Sequence, residues 1–178
     1  MSFGCGIPNV NNLPLSPALA RLKEEHIPLR AQMDEFYLLA KDIGGDEATS
    51  NWADALRHLN EKAQKFISEL DPHSIREEDV LFVMMAKYIG RETGPISVME
   101  YEHDQAKRNL KQFTEKMAAI GETVEKDEAK GIASHLMNAY MILTEHFMKE
   151  ENVLFPMAQQ MLTDAEKEEL VVKFNEIN

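Results

Sequence analysis

Histidine and glutamate are the residues here whose spacing suggests chemistry. His73 and Glu77 are four apart, as are His146 and Glu150, so on a helix each pair shares one face. Both pairs sit in one longer pattern. His73-x-x-x-Glu77-Glu78-x-Val80-Leu81-Phe82 matches His146-x-x-x-Glu150-Glu151-x-Val153-Leu154-Phe155. Two more histidines each follow a glutamate, Glu25-His26 and Glu102-His103, and each precedes a phenylalanine by ten residues, Phe36 and Phe113. Imidazole and carboxylate without thiolate favour iron and also permit manganese or zinc. Each carboxylate is placed to bridge two metals while each imidazole binds one. With an oxo or hydroxo bridge added, two six-coordinate irons keep about one open position each. An open, redox-active, water-poor site of this kind handles O2, NO or peroxide.

The elements that must position these groups are helices. Heptad stripes read Leu19, Leu22, His26, Leu29, Met33, Phe36, Ala40, Ile43 in a first helix over 17–43. They read Leu56, Leu59, Ala63, Phe66, Leu70, His73, Glu77, Val80, Met84 in a second over 50–89. A third over 95–120 gives Ile96, Met99, His103, Ala106, Leu110, Phe113, Met117, Ile120. A fourth over 125–161 gives Ile132, Leu136, Ala139, Leu143, His146, Glu150, Val153, Met157. The only polar residues on the stripes are the six candidate ligands. No Lys or Arg lies there to neutralise the carboxylates, and a buried charge needs a partner or a metal.

Breaks fall at Gly44-Gly45, Gly90, Gly94-Pro95 and Gly121. Thr163-Asp164-Ala165-Glu166 has the form of a capping box opening a short last helix to about 176. No stretch alternates with period 2 for long enough to be a strand. The expected fold is therefore all-α: an up-and-down four-helix bundle of two repeated helical hairpins, plus a short C-terminal helix. Residues 1–15 read as an irregular leader and 16–178 as the domain, with Ser16 as N-cap and Pro17 at the first helical position.

Composition narrows the function. A net charge of -12 argues against nucleic acid and against anionic membrane surfaces. The single cysteine, Cys5, excludes an internal disulfide and a thiolate zinc cluster. No apolar run approaches the ~20 residues that span a bilayer, and the N-terminus lacks a signal pattern, so the expected location is cytoplasmic.

On these motifs, with Gly94-Pro95-Ile96 leading into Glu102-His103 and Leu154-Phe155-Pro156 closing the fourth, the chain resembles the hemerythrin-like (HHE cation-binding) family. The resemblance spans about 17–160 and implies a non-haem di-iron centre, matching its ligands to His26, His73, Glu77, His103, His146 and Glu150. It departs from the oxygen carriers at Lys107, where they have a second histidine, and at Glu151, where they have Asp; both weigh against simple O2 carriage. Family members that repair iron–sulfur centres carry a cysteine-paired N-terminal domain, which a leader holding Cys5 alone is too short to supply. The expectation is thus a di-iron protein that binds or senses O2, NO or peroxide, with a possible separate protein partner for a sensor. The alternatives are iron sensing or donation, or peroxide scavenging. An enzymatic role, if present, would be an oxidoreductase acting on peroxide or NO.

Of the neighbouring residues, Glu78 and Glu151 fall one place past the stripes and read first as solvated charges, with outer partners of the ligands as the alternative. Glu25 and Glu102 read as flanking charges or as outer partners of the ligands. Pro28 and Pro72 are expected to distort their helices. In a metal-free core, desolvation is expected to raise the carboxyl pKa values.

Overall fold

The computed structural model describes residues 14–45 and 49–177. The expected leader, Cys5 included, therefore lies outside the described residues except for Pro14 and Leu15. The described residues contain no strand. Helix α1 spans Pro17–Asp42, α2 Ala53–Ile75, α3 Phe82–Ile89, α4 Pro95–Ala119, α5 Lys126–Lys149, α6 Phe155–Met161 and α7 Asp164–Asn175. Two π turns join these: π1, Arg76–Leu81, links α2 to α3, and π2, Glu150–Leu154, links α5 to α6. The long rods α1, α2–π1–α3, α4 and α5–π2–α6 make the four-helix bundle. Helix α7 packs across α1 and π1.

Local signals account for most boundaries. Pro17 and Pro95 begin α1 and α4, where the missing N–H costs nothing. Gly90 and Gly94 bracket the α3–α4 connection at φ 74° and 83°, a region open to glycine without strain. The Thr163–Glu166 capping box forms in full at the start of α7. At α1, Ser16 stands in the N-cap position but its hydroxyl caps nothing; its backbone N–H instead donates to Gln159 Oε1 at 2.8 Å, tying α1 to α6. The start of α2 is fastened by Asn51, whose side-chain oxygen accepts from the backbone of Ala53 and of Val124.

The stripes of α1 and α4 lie inside as expected, from Leu19 to Ile43 and from Ile96 to Met117. Two apolar clusters result. One, around Phe36, Phe66, Phe113 and Leu136, fills the half of the bundle next to the α1–α2 and α4–α5 loops; the other, around Leu22, Phe82, Phe155 and Phe174, fills the opposite half. The histidines and their glutamates lie between the two.

The rods that carry the His-x-x-x-Glu pairs are not continuous α-helix. In π1 the N–H of Phe82 donates to the carbonyl of Glu77, and in π2 that of Phe155 donates to Glu150, each five residues back. A π turn holds one more residue than an α turn, so the apolar phase slips by one beyond it. The fourth stripe is accordingly wrong after Glu150: Val153 is 51% exposed and Met157 only half-buried, while Leu154 and Ala158 are inside. In the second rod Val80 and Met84 remain buried, joined by Leu81 and Met85. Pro28 and Pro72 do not break their helices. Both lie inside continuous α1 and α2, each removing one N–H bond that the surrounding turns outlast.

Candidate metal centre

All six candidate ligands converge in one buried layer. His26, Glu77, His146 and Glu150 are fully buried, and His73 and His103 nearly so. Their ligand atoms fall into two groups, each with all atoms within 4.8 Å of one another. One is His26, His73, Glu77 and Glu150; the other is Glu77, His103, His146 and Glu150. The two carboxylates belong to both. Glu77 turns Oε1 to His73 Nε2 at 3.4 Å and Oε2 to His103 Nε2 at 3.4 Å. Glu150 turns Oε2 to His26 Nε2 at 3.3 Å and Oε1 to His146 Nε2 at 3.0 Å.

These close contacts are not a settled hydrogen-bond network. All four oxygens of Glu77 and Glu150, and His146 Nε2, are buried without a hydrogen-bond partner. The Nε2 atoms of His26 and His73 face each other at 3.2 Å. Buried acceptors aimed at a common point, with no donor between them, are the arrangement a cation completes. The residues present therefore fit a metal, and the donor set of imidazole and carboxylate fits iron.

The outward nitrogen of every imidazole is also fixed. Nδ1 of His26 meets Glu151 Oε1 at 2.8 Å, and that of His73 meets Glu25 Oε2 at 3.0 Å. Nδ1 of His103 meets Glu78 Oε1 at 2.6 Å, and that of His146 meets Glu102 Oε2 at 3.0 Å. A carboxylate on Nδ1 holds the proton there and leaves the Nε2 lone pair pointing inward, the tautomer a metal ligand requires. The repeat is obeyed throughout: Glu25 and Glu102 act within their own hairpin, whereas Glu78 and Glu151 reach across to the other.

This corrects the reading of Glu78 and Glu151 as solvated charges. In an α-helix the position after Glu77 or Glu150 turns away from the core. The wider π turn lets Glu77 face inward while Glu78 reaches α4, and lets Glu150 face inward while Glu151 reaches α1. The residues missed from the sequence are the cations behind the outer carboxylates: Arg30 on Glu151, Arg76 and Arg21 on Glu25, Lys107 on Glu78 and Lys149 on Glu102. The signal that marks them is the repeat. Arg30 and Lys107 each stand four after the first histidine of their hairpin, and Arg76 and Lys149 three after the second. Lys107 thus occupies one departure position as the buttress of Glu78, and Glu151, at the other, holds His26 Nδ1.

Electrostatics follow this geometry. Burial pushes the Glu78 carboxyl up, but hydrogen bonds from His103 and Lys107 outweigh it and hold the group at about 2. Burial pushes the His146 imidazole down, yet the Glu150 charge and the Glu102 hydrogen bond raise it to about 10. His73 is raised by Glu77 and Glu25 against the same desolvation. Glu150 departs from the upward shift expected of a core carboxyl. Desolvation does act upward, but His146 and His26 lie against it and carry it well below its ordinary value.

Aromatic rings close the layer to water. Phe147 stacks on His26 with centroids 4.1 Å apart, Phe155 lies 5.7 Å from the same ring, and Phe82 lies 5.9 Å from His103. Tyr37 and Tyr140 stack on each other and Tyr101 is exposed, so the tyrosines pack rather than reach the centre. His58 is exposed. No helix among the described residues is long and apolar enough to cross a membrane.

A four-helix bundle with two overlapping His/Glu groups at its centre is a metal-binding helical protein. Residues 18–170 match the Hemerythrin HHE cation binding domain, and the chain belongs to that family. Similar curated proteins include the iron-sulfur cluster repair protein YtfE of Pectobacterium atrosepticum. It is 30% identical over 154 residues, covering 82% of this chain and 66% of that protein. YtfE of Salmonella schwarzengrund is 34% identical over 135 residues, covering 72% of this chain and 59% of its own length. The chain thus spans roughly three fifths to two thirds of the length of the curated relatives it matches.

Proposed function

We propose that this protein is a non-haem di-iron protein that binds or senses O2, NO or peroxide inside its bundle. The observation that carries the reading is that Glu77 and Glu150 each present one oxygen to each of two His pairs. In this reading His26 and His73 would hold one iron and His103 and His146 the other, with Glu77 and Glu150 donating to both. Iron held there would supply redox chemistry toward a small ligand. The chain's own residues do the rest. Glu25, Glu78, Glu102 and Glu151 orient the imidazoles, and the phenylalanines exclude water. The site is too enclosed for a large substrate, which favours a diatomic gas or peroxide. The proposed setting is cytoplasmic, and a separate protein partner is proposed for a sensing role.

A second reading is donation of iron from this centre, as in iron homeostasis or cluster repair. The name of the relatives favours it, and the same centre serves as the source. Manganese or zinc would satisfy the donors but would not support the same redox chemistry.

Metal analysis after anaerobic iron reconstitution tests the shared premise, with about two irons per chain expected. One iron or fewer overturns it. Titration of the loaded protein with O2, NO and H2O2, followed by absorption, then separates the readings. New near-UV and visible bands on a fully retained iron pair support ligand binding. Iron that passes to an apo iron–sulfur protein without such bands supports donation.

A further inference from the structure

The two His pairs are related by the internal repeat, but what stands behind them is not. Behind His26 and His73 the cations on the outer carboxylates are arginines: Arg30 on Glu151, and Arg76 with Arg21 on Glu25. Behind His103 and His146 they are lysines: Lys107 on Glu78 and Lys149 on Glu102. Arg30 and Lys107 are equivalent positions of the repeat, as are Arg76 and Lys149, whereas Arg21 has Val98 at its equivalent.

The two sets are anchored differently. Arg76 is a buried side chain, 7% exposed, and its guanidinium also donates to the carbonyls of Phe174 at 3.5 Å and Ile177 at 2.8 Å. Those carbonyls belong to α7 and the residue pair beyond it, and α7 is fastened a second time by Arg21 Nη1 to Asn175 Oδ1 at 3.1 Å. Arg30 is 35% exposed and hydrogen-bonds Glu151 alone, but its guanidinium also lies over the Phe147 ring, 5.5 Å from the centroid, and that ring stacks on His26. The lysine contacts to carboxylate are short, but each ammonium has one protein anchor and its side chain is 43% exposed. A planar guanidinium with several fixed acceptors gives up less freedom per bond than a flexible ammonium that water can reach. The C-terminal helix roofs the arginine half, against α1 and π1, and has no counterpart over the lysine half among the described residues.

Resting on the two-iron reading above, we propose that the two metal positions are unequal. The position at His26 and His73, buttressed by arginine and roofed by α7, retains its iron. The position at His103 and His146, buttressed by lysine, releases and reloads its iron first. The orienting carboxylate is what couples each cation to its metal, and losing such a partner typically weakens metal binding by roughly 10–100-fold. The protein then cycles between a two-iron and a one-iron state, and Arg30, Arg76, Lys107 and Lys149 act as positioning residues that set the difference.

The test is iron release from the anaerobically loaded full chain into excess ferrozine, read by absorbance. Two phases of equal amplitude are expected, with rates at least about tenfold apart. Lys107→Ala and Lys149→Ala should speed the fast phase and leave the slow one in place, and Lys107→Arg should slow the fast phase. Arg76→Lys should speed the slow phase alone. Lys107 and Lys149 are surface side chains, so these variants should fold, and circular dichroism checks that they do. A single phase for both irons in the unaltered chain, or lysine variants that move only the slow phase, overturns the inequality. A chain that never loads two irons overturns the two-iron reading instead, so the two failures are distinguishable.

Discussion

The half of the bundle around Phe36, Phe66 and Phe113 and the half around Phe82 and Phe155 are built from the same kind of residue, but by different rules. In the first, unbroken α1, α2, α4 and α5 keep their heptad phase, so every expected apolar position is inside except Ile120 at the end of α4, which is partly buried against the cluster. In the second, the rods pass through π1 and π2, and the phase moves by one residue where it matters most. The slip is not a defect of packing. It is what allows two consecutive glutamates to serve the same centre, one from inside and one from the flank. Periodicity is a safe guide to burial only where the helix keeps one pitch.

The strongest way to break this comparison is to remove the inward carboxylates. Glu77→Ala or Glu150→Ala is expected to abolish the coupled metal pair, leaving about one metal or fewer per chain by elemental analysis. Full retention would show that the two groups do not share these residues. Metal should also stabilise the fold, because it binds the folded form and satisfies buried charge. Saturation at 100 times the dissociation constant adds about 2.7 kcal/mol. Loaded protein should therefore melt several degrees above the metal-free form, and equal melting with metal still bound would place the metal outside the core layer.

The phase slip has its own test. Leu154→Ala should cost about 2–5 kcal/mol in chemical denaturation, and Val153→Ala within about 0.5 kcal/mol of nothing. An unbroken α-helix predicts the reverse order. On the flank of the site, Glu78→Ala and Glu151→Ala should weaken metal binding by roughly 10–100-fold without removing it. Unchanged affinity would return these residues to the role of solvated charges.

The smallest effect is on protons. In the metal-free protein His146 is raised to about 10 and so is charged at pH 7. Its elevated pKa contributes stability that is fully present below about 6.5 and is lost as pH rises through about 10. Metal must displace that proton, so loading at pH 7 should release about one proton or more per chain, and affinity should fall as pH is lowered. The competition begins well above the acid range at which free imidazole protonates. Glu78 works in the opposite direction. Its pKa is held at about 2, so its contribution is present above about 4.5 and fades only as pH falls toward 2. Calorimetry in buffers of different ionisation enthalpy counts the protons, and a count of zero would contradict the raised imidazole.

The sequence by itself determined the class of fold, the internal repeat and the six inward groups. Each of these depends on residues at fixed spacing along one helix, and side-chain direction within a helix follows from local geometry. The capping box at Thr163 was legible for the same reason. What only the tertiary structure decided are contacts between helices. The hold of Glu151 on His26, and of Glu78 on His103, depends on how far one rod is rotated against another. The π turns set that rotation, and the apolar stripes carry no mark of them beyond the repeat itself. The contrast of arginine with lysine behind the two His pairs is plain in the letters at 30, 76, 107 and 149. Its meaning required the placement of α7, because which half of a symmetric bundle an added helix covers is settled by packing and by no local preference.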